Sequence, residues 1–201
     1  MKEDMFANKS KNWDMNSKRV RNTRNITELI VKNIKLNHNM ELMDFGAGTG
    51  LLSFLIAPFV KKITAVDNSP SMLREFKNKC SEFACETEII KKDLSEEVLE
   101  RVFDGIISSM TIHHLEDTYQ LFRKFYQMLK KGGFIAIADL DIEDGSFHSD
   151  NRGVFHHGFD RKVLRTIAKE AGFREIQFET ASTISKPQRE FTVFLMTAYR
   201  D

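Results

Sequence analysis

The chain has 201 residues, 41% of them apolar, enough for one compact domain but too short to hold a second full one. Thirty basic residues against twenty-nine acidic ones leave a formal charge of +1, so no whole-chain field steers it toward phosphate backbones or anionic membranes, and a nucleic-acid partner is disfavoured. The opening MKEDMFANKSKNWD lacks the apolar core of an export signal, and the longest apolar run, Leu51 to Val60, is broken by Ser53 and Pro58, which argues against a membrane span.

In chain order, residues 1–36 read as an N-terminal cap followed by a helix. Val20, Ile26, Leu29, Ile30 and Ile34 recur at mainly helical spacing from Ser17 to Ile34, while Trp13 either pins the cap to the domain or lines a pocket. Short apolar strands then alternate with helical stretches: Glu41–Phe45, Lys62–Val66, Glu88–Lys91, Phe103–Ser108 and Phe134–Asp139. Such alternation predicts an α/β domain with a parallel sheet covered by helices on both faces. Ser69-Pro70 marks a helix start, Lys130-Lys131-Gly132-Gly133 a helix end, and Asp160 to Gly172 brackets another helix. Glu175–Ile184 and Phe191–Tyr199 are joined by Ser185-Lys186-Pro187-Gln188-Arg189, too short for a crossover helix, so they are expected to pair antiparallel at the sheet edge. Cys80 and Cys85 match neither a Cys-x-x-Cys motif nor a disulfide framework, which predicts two reduced thiols, no zinc and a cytoplasmic location.

The first strand ends in Asp44-Phe45-Gly46-Ala47-Gly48-Thr49-Gly50 and runs into the helical Leu51-Leu52-Ser53-Phe54. Glycines in a strand-to-helix turn let a ligand touch the backbone and expose amides at a helix N-terminus. A dinucleotide fingerprint would need glycine where Leu51 stands, and the Gly-Lys-Ser/Thr of a phosphate loop is absent. Asp44, two residues ahead of the first glycine, would repel a pyrophosphate but suits a ligand carrying an amino group. Asp67 ends the second strand, where an acidic group accepts from ribose hydroxyls. Asp93 follows the third, where a carboxylate can receive an exocyclic amine and Leu94 can cover a base. These three carboxylates fall at the sheet edge where α/β ligands bind.

The ordered set of Asp44-x-Gly46-x-Gly48-x-Gly50, Val66-Asp67-Asn68-Ser69-Pro70, Asp93-Leu94, Phe103-Asp104-Gly105-Ile106-Ile107-Ser108, His113-His114-Leu115 and Leu129-Lys130-Lys131-Gly132-Gly133 resembles a class I S-adenosylmethionine-dependent methyltransferase. Within that superfamily it is most similar to the small-molecule branch that includes the ubiquinone/menaquinone C-methyltransferases. The resemblance implies a Rossmann-like three-layer sandwich, with a mostly parallel seven-stranded sheet whose C-terminal hairpin is antiparallel. It also implies S-adenosyl-L-methionine as cofactor and a small-molecule methyl acceptor. Carried over by position, Gly46, Ala47, Gly48 and Gly50 would hold the methionine moiety with Asp44, Asp67 the ribose and Asp93 the adenine amine. Ser108 or Ser109 would border the methionine end. Asn68 stands where an apolar residue often packs on adenine, which leaves Leu94 to carry more of that contact.

Five of the six histidines, His113, His114, His148, His156 and His157, follow the fourth and fifth strands. Methyl transfer is an in-line displacement that proximity alone advances by roughly 7–11 kcal/mol, so few catalytic groups are required. If the acceptor must lose a proton, His114, His148 and His156 are the candidate bases. For His113 the expectation is structural. No histidine spacing is a zinc signature, so no metal is expected. The rival readings are a non-catalytic S-adenosylmethionine sensor or partner subunit, and a nicotinamide oxidoreductase on the related fold, which Leu51 disfavours.

Overall fold

The computed structural model describes residues 4, 6, 7, 9–97, 99–187 and 189–201. Met1, Lys2, Glu3, Met5 and Asn8 of the expected cap, and Gln188 of the expected hairpin link, lie outside the described residues. The strands are β1 (Glu41–Phe45), β2 (Lys62–Asp67), β3 (Glu86–Lys91), β4 (Phe103–Ser109), β5 (Leu129–Leu140), β6 (Arg174–Ser185) and β7 (Glu190–Tyr199). They form one sheet in the order β3-β2-β1-β4-β5-β7-β6. β3 through β5 are parallel, and β7 inserts antiparallel between β5 and β6. This is the mostly parallel, seven-stranded Rossmann-like sheet with an antiparallel terminal hairpin that the sequence predicts.

Helices α1 (Ser17–Asn33), α2 (Leu51–Ile56), α3 (Pro70–Asn78), α4 (Thr118–Gln127) and α5 (Arg161–Glu170) complete the three layers. Each long helix begins where a short polar side chain takes its free amides. Asn16 accepts from Lys18 and Arg19, Ser69 from Met72, Asp117 from Gln120, and Asp160 from Lys162 and Val163. Strand alternation then divides the core. Met43, Ile106, Ile135 and Ile137 meet Leu121, Phe122 and Phe125 of α4 and Leu164 of α5 on one face. Leu42, Ile63, Ile107 and Ala136 meet Ile26 and Ile30 of α1 and Leu52 and Ile56 of α2 on the other. Truncating a fully buried ring such as Phe125 to alanine would cost about 3–5 kcal/mol.

Two expectations are corrected. Lys130-Lys131-Gly132-Gly133 does not end a helix: α4 stops at Gln127, and these residues open β5. Gly132 donates to Arg200 O and Arg200 N to Gly133 O, both at 2.8 Å, so the glycines extend the antiparallel β5–β7 pairing one step past Phe134 and Tyr199. Between β3 and β4, residues 92–102 form turns without a helix among those described. Lys124 of α4 holds that crossover by donating to the carbonyls of Leu94 and Ser95 at 2.7 and 2.9 Å. The C-terminal ends of β1, β2, β4 and β5 therefore open onto one edge, with Asp93 just past β3.

Candidate active site

The glycine loop is clamped from both sides. Gly46 and Ala47 donate to Val66 O of β2 at 2.8 and 3.2 Å. Gly46 has φ +67°, and a Cβ there would lie 2.2 Å from the Thr111 side chain, so this position admits only glycine. Gly48 differs. Its φ is also positive, at +55°, but a Cβ would meet nothing closer than Met72 Sδ at 3.9 Å. Backbone is open to a ligand at Gly48 and packed against protein at Gly46.

Two carboxylates brace this loop. Asp44 is 1% exposed and accepts from Ser53 Oγ of α2 at 2.6 Å. Burial raises its pKa to about 7, with the Ser53 hydrogen bond opposing and the charge of Asp67 adding. Asp67 accepts from Gly48 N through Oδ2 and from Ser69 N through Oδ1, each at 2.8 Å. Burial also raises Asp67, against the pull of these backbone donors. Each of its oxygens keeps further acceptor capacity, as ribose hydroxyls would require.

The remaining cofactor-side candidates divide by burial. Asp93 accepts from Asn68 Nδ2 at 3.3 Å and from Ser95 N at 3.0 Å, so Asn68 and Asp93 are brought together at the mouth. Leu94 is 2% exposed within the core beneath α4, its side chain already covered by protein rather than turned toward a base. Ser108 is fully buried and donates to Phe45 O at 2.7 Å, tying β4 to β1. Ser109 is half-buried at the rim, where its carbonyl accepts from Thr111 Oγ1 at 3.1 Å.

The N-terminal segment lies across the same edge. Asp4 accepts from Ser69 Oγ at 2.8 Å and from Ser71 N at 3.0 Å, placing a carboxylate at the positive end of α3. Asp14 accepts from Thr49 Oγ1 at 2.6 Å and pairs with Lys79. Trp13 is held between the edge of Phe6, with centroids 5.9 Å apart, and the Arg19 guanidinium 3.9 Å above its ring. Phe6 also meets His114 edge-on at 6.0 Å.

On the β4–β5 side the histidines converge unequally. His113 Nδ1 donates to Asp139 Oδ1 at 2.7 Å, with side chains 2% and 0% exposed. Burial alone would lower His113, but the charge and hydrogen bond of Asp139 outweigh it and the net shift is upward. Burial likewise pushes Asp139 up, and His113 more than reverses it. The His148 ring lies tilted with its centroid 4.9 Å from that of His113, and burial together with the neighbouring His113 and His114 pushes it down to about 4. His114 is lowered by burial and by His113, and its Nδ1 donates to Gly153 O at 2.6 Å. His156 Nε2 donates to the carbonyls of Leu115 and Glu116 at 2.8 and 3.2 Å, fastening the segment after β5 to the one after β4. Sequence reasoning named His114, His148 and His156. It passed over the His113–Asp139 pair, whose signal was an aspartate near the end of a buried strand that runs beside the one preceding the histidine turn.

Among the described residues no group of three or more His, Cys, Asp or Glu could hold a metal, and no helix is long and apolar enough to cross a membrane. Cys80 and Cys85 are free thiols.

Residues 43–137 match the family model described as a methyltransferase domain. An uncharacterized methyltransferase of Schizosaccharomyces pombe is 32% identical over 175 residues, 79% of this chain and 60% of that protein. Phosphoethanolamine N-methyltransferase 3 of Arabidopsis thaliana is 28% identical over 75% of this chain and 32% of that protein. The solved structure of Haemonchus contortus phosphoethanolamine N-methyltransferase 2, in complex with phosphomonomethylethanolamine and S-adenosylhomocysteine, superposes with a TM-score of 0.70. It shares 18% identity and covers 88% of this chain and 52% of that one. The chain thus spans 60% or less of the length of these relatives. Residues 43–137 resemble a methyltransferase domain, and the fold is that of the solved methyltransferase structure. These comparisons do not single out the ubiquinone branch expected from the sequence.

Proposed function

We propose that this chain transfers the methyl group of S-adenosylmethionine to a small-molecule acceptor. The observation that carries the reading is the clamped glycine loop, open to a ligand at Gly48 and flanked by Asp44 and Asp67. The donor set suits the cofactor. Asp67 has acceptor capacity left for ribose hydroxyls, Asp93 and Asn68 stand where the adenine amine would be received, and Gly46 to Gly50 would hold the methionine moiety. Asp44 supports the amino end from beneath the loop through its negative charge. When bound, the cofactor supplies an electrophilic methyl on a sulfonium.

The chain's own contribution is placement and proton removal. The segment carrying Asp4, Trp13 and Asp14 straps the cofactor side and excludes water. His113 is the base the geometry favours, because Asp139 fixes its tautomer and leaves Nε2 without a hydrogen-bond partner. His148 sits beside it as a neutral imidazole, while His114 and His156 hold the loops that frame the acceptor. Two unpaired cysteines suit a reducing, cytoplasmic setting.

Thermal denaturation with S-adenosylhomocysteine tests the cofactor half. A ligand bound only by the folded state adds about 2.7 kcal/mol at a hundredfold excess over its dissociation constant. A clear rise in Tm is expected with S-adenosylhomocysteine and none with NADH; equal shifts, or none, would reject the reading.

A further inference from the structure

Beyond the glycine loop, the densest group of ionisable side chains lies where the segment after β5 folds over His113. Three buried polar atoms there lack a hydrogen-bond partner: His113 Nε2, His148 Nε2 and Glu143 Oε1. The Glu143 side chain is 2% exposed. Its Oε2 accepts from Gly145 N and Phe147 N at 2.8 and 3.1 Å. Its Oε1 is 3.6 Å from His157 Nδ1, beyond hydrogen-bonding length. Glu143 and His113 are close enough that the carboxylate adds to the charge of Asp139 on the imidazole. Lys186, from the β6–β7 turn, donates to Phe147 O and lies 4.2 Å from that ring's centroid, so its ammonium is already engaged.

The unmet demand is for donors. An ionised carboxylate oxygen can only accept, and an imidazole that gives its Nδ1–H to Asp139 offers a lone pair at Nε2. A buried acceptor with no donor is costly, so a ligand that supplies donors there gains affinity. The local charge points the same way: Asp139 and Glu143 both act on His113, and the Lys186 ammonium that faces Glu143 is spent on Phe147, so a donor cation is better received than a further anion. A hydroxyl brings one donor and no charge, whereas a carboxylate or phosphate brings only acceptors at neutral pH. An ammonium brings several donors and a positive charge.

Resting on the methyltransferase reading, we infer that Glu143, His113 and His148 form the acceptor subsite and that its substrate is a small amine, whose N–H groups are received by Glu143 Oε1 and His113 Nε2. The ammonium gives one proton to His113 Nε2, and the freed nitrogen lone pair forms the new N–C bond. The S–C bond breaks with its electron pair going to sulfur, leaving a methylated ammonium and a thioether. The proton on His113 then passes to solvent.

The test incubates the full chain with methyl-labelled S-adenosylmethionine and sets of amine, alcohol and acid on a common skeleton: ethanolamine, ethylene glycol and glycolate, then phenethylamine, phenethyl alcohol and phenylacetate. The expected result is label in an amine at ten or more times the rate for its alcohol or acid. Glu143→Gln keeps a carbonyl oxygen for Gly145 and Phe147 while replacing the free acceptor with a donor. It should raise KM for the amine at least tenfold, with S-adenosylhomocysteine affinity unchanged within twofold. On unmutated protein, the amine but not its alcohol should further stabilise the S-adenosylhomocysteine complex, which keeps the test decisive if the variant does not fold. Labelling that favours alcohol or acid, no labelled amine, or an unchanged KM in the variant would overturn the amine assignment. Failure of S-adenosylhomocysteine to stabilise the protein would instead overturn the methyltransferase reading beneath it.

Discussion

Replacing Asp44 by asparagine should make the ligand-free protein more stable at pH 8 and less able to bind S-adenosylhomocysteine. The carboxyl is 1% exposed, and burial holds its pKa at about 7 against an ordinary 3.8. A pKa raised by folding means that ionisation opposes the folded state. Below pH 3.8 the proton is present in both states and nothing is lost. From there up to about 7 the unfolded chain has released its proton while the folded one retains it. Stability therefore falls by about 1.4 kcal/mol per pH unit across that window, roughly 4 kcal/mol in all, and is flat above it. Asparagine can still accept from Ser53 Oγ and carries no charge to desolvate. Urea denaturation of both proteins at pH 5, 6, 7 and 8 should show the wild type losing ground relative to the variant up to about pH 7 and levelling off beyond it. With S-adenosylhomocysteine the order should reverse, because the ligand's amino group favours the ionised carboxylate. The variant should then bind roughly 10- to 150-fold more weakly at pH 8, the worth of a charged hydrogen bond. Parallel pH profiles for the two proteins, or equal affinities, would refute this reasoning.

Gly46→Ala should destabilise severely, since its Cβ would strike Thr111 at 2.2 Å. Gly48→Ala should fold with a loss of about 1–2 kcal/mol from its positive φ yet bind S-adenosylhomocysteine at least tenfold more weakly; denaturation and titration calorimetry together separate the two. Asp67→Ala should cost roughly 10- to 150-fold in cofactor affinity, and a folded variant with unchanged affinity would remove Asp67 from the site. Breaking the strap by Asp14→Ala, which removes its ties to Thr49 and Lys79, should speed tryptic cleavage of the cofactor complex near the N-terminus. An unaltered digestion pattern would leave that segment without a gating role. Because the net shift on His113 is upward, the limiting rate should fall as pH drops through a value above the ordinary 6.5, and His113→Asn should flatten the profile. If that dependence survives in His113→Asn but vanishes in His148→Ala, the base is His148.

The parts of the fold legible in the sequence are those governed by local rules. The Val/Ile-rich strands, the Ser69 and Asp160 caps, the glycine turn and the short β6–β7 link each carry their signal within a few residues. What misled was a sequence-local habit applied without its partner. Lys130-Lys131-Gly132-Gly133 has the composition of a helix end, but Arg200, far along the chain, claims its backbone for the sheet. Distance in sequence also hid much of the candidate site. Asp139 reads as the end of a strand and His113 as one of several histidines until β4 and β5 lie side by side and join them. Glu143 stood out only as part of an acidic stretch that could equally be a solvated insertion, and Lys186, Asp4 and Asp14 were given no individual role, because a charged residue in a polar segment is ordinarily solvated. Only burial distinguishes Glu143 from its neighbour Asp144, which is exposed. Conversely, Ser108 and Leu94 matched a family position, yet both are enclosed by protein.

The central claim is that a methyl group leaves S-adenosylmethionine for a small molecule on this chain. The direct measurement is a single turnover with methyl-labelled S-adenosylmethionine at enzyme excess, in the presence of a dialysable metabolite extract. Label should move into the dialysable fraction, in step with the appearance of S-adenosylhomocysteine, and should fail to move with Asp67→Ala at the same cofactor concentration. Label that stays on S-adenosylmethionine, or that moves to macromolecules instead, would contradict the account.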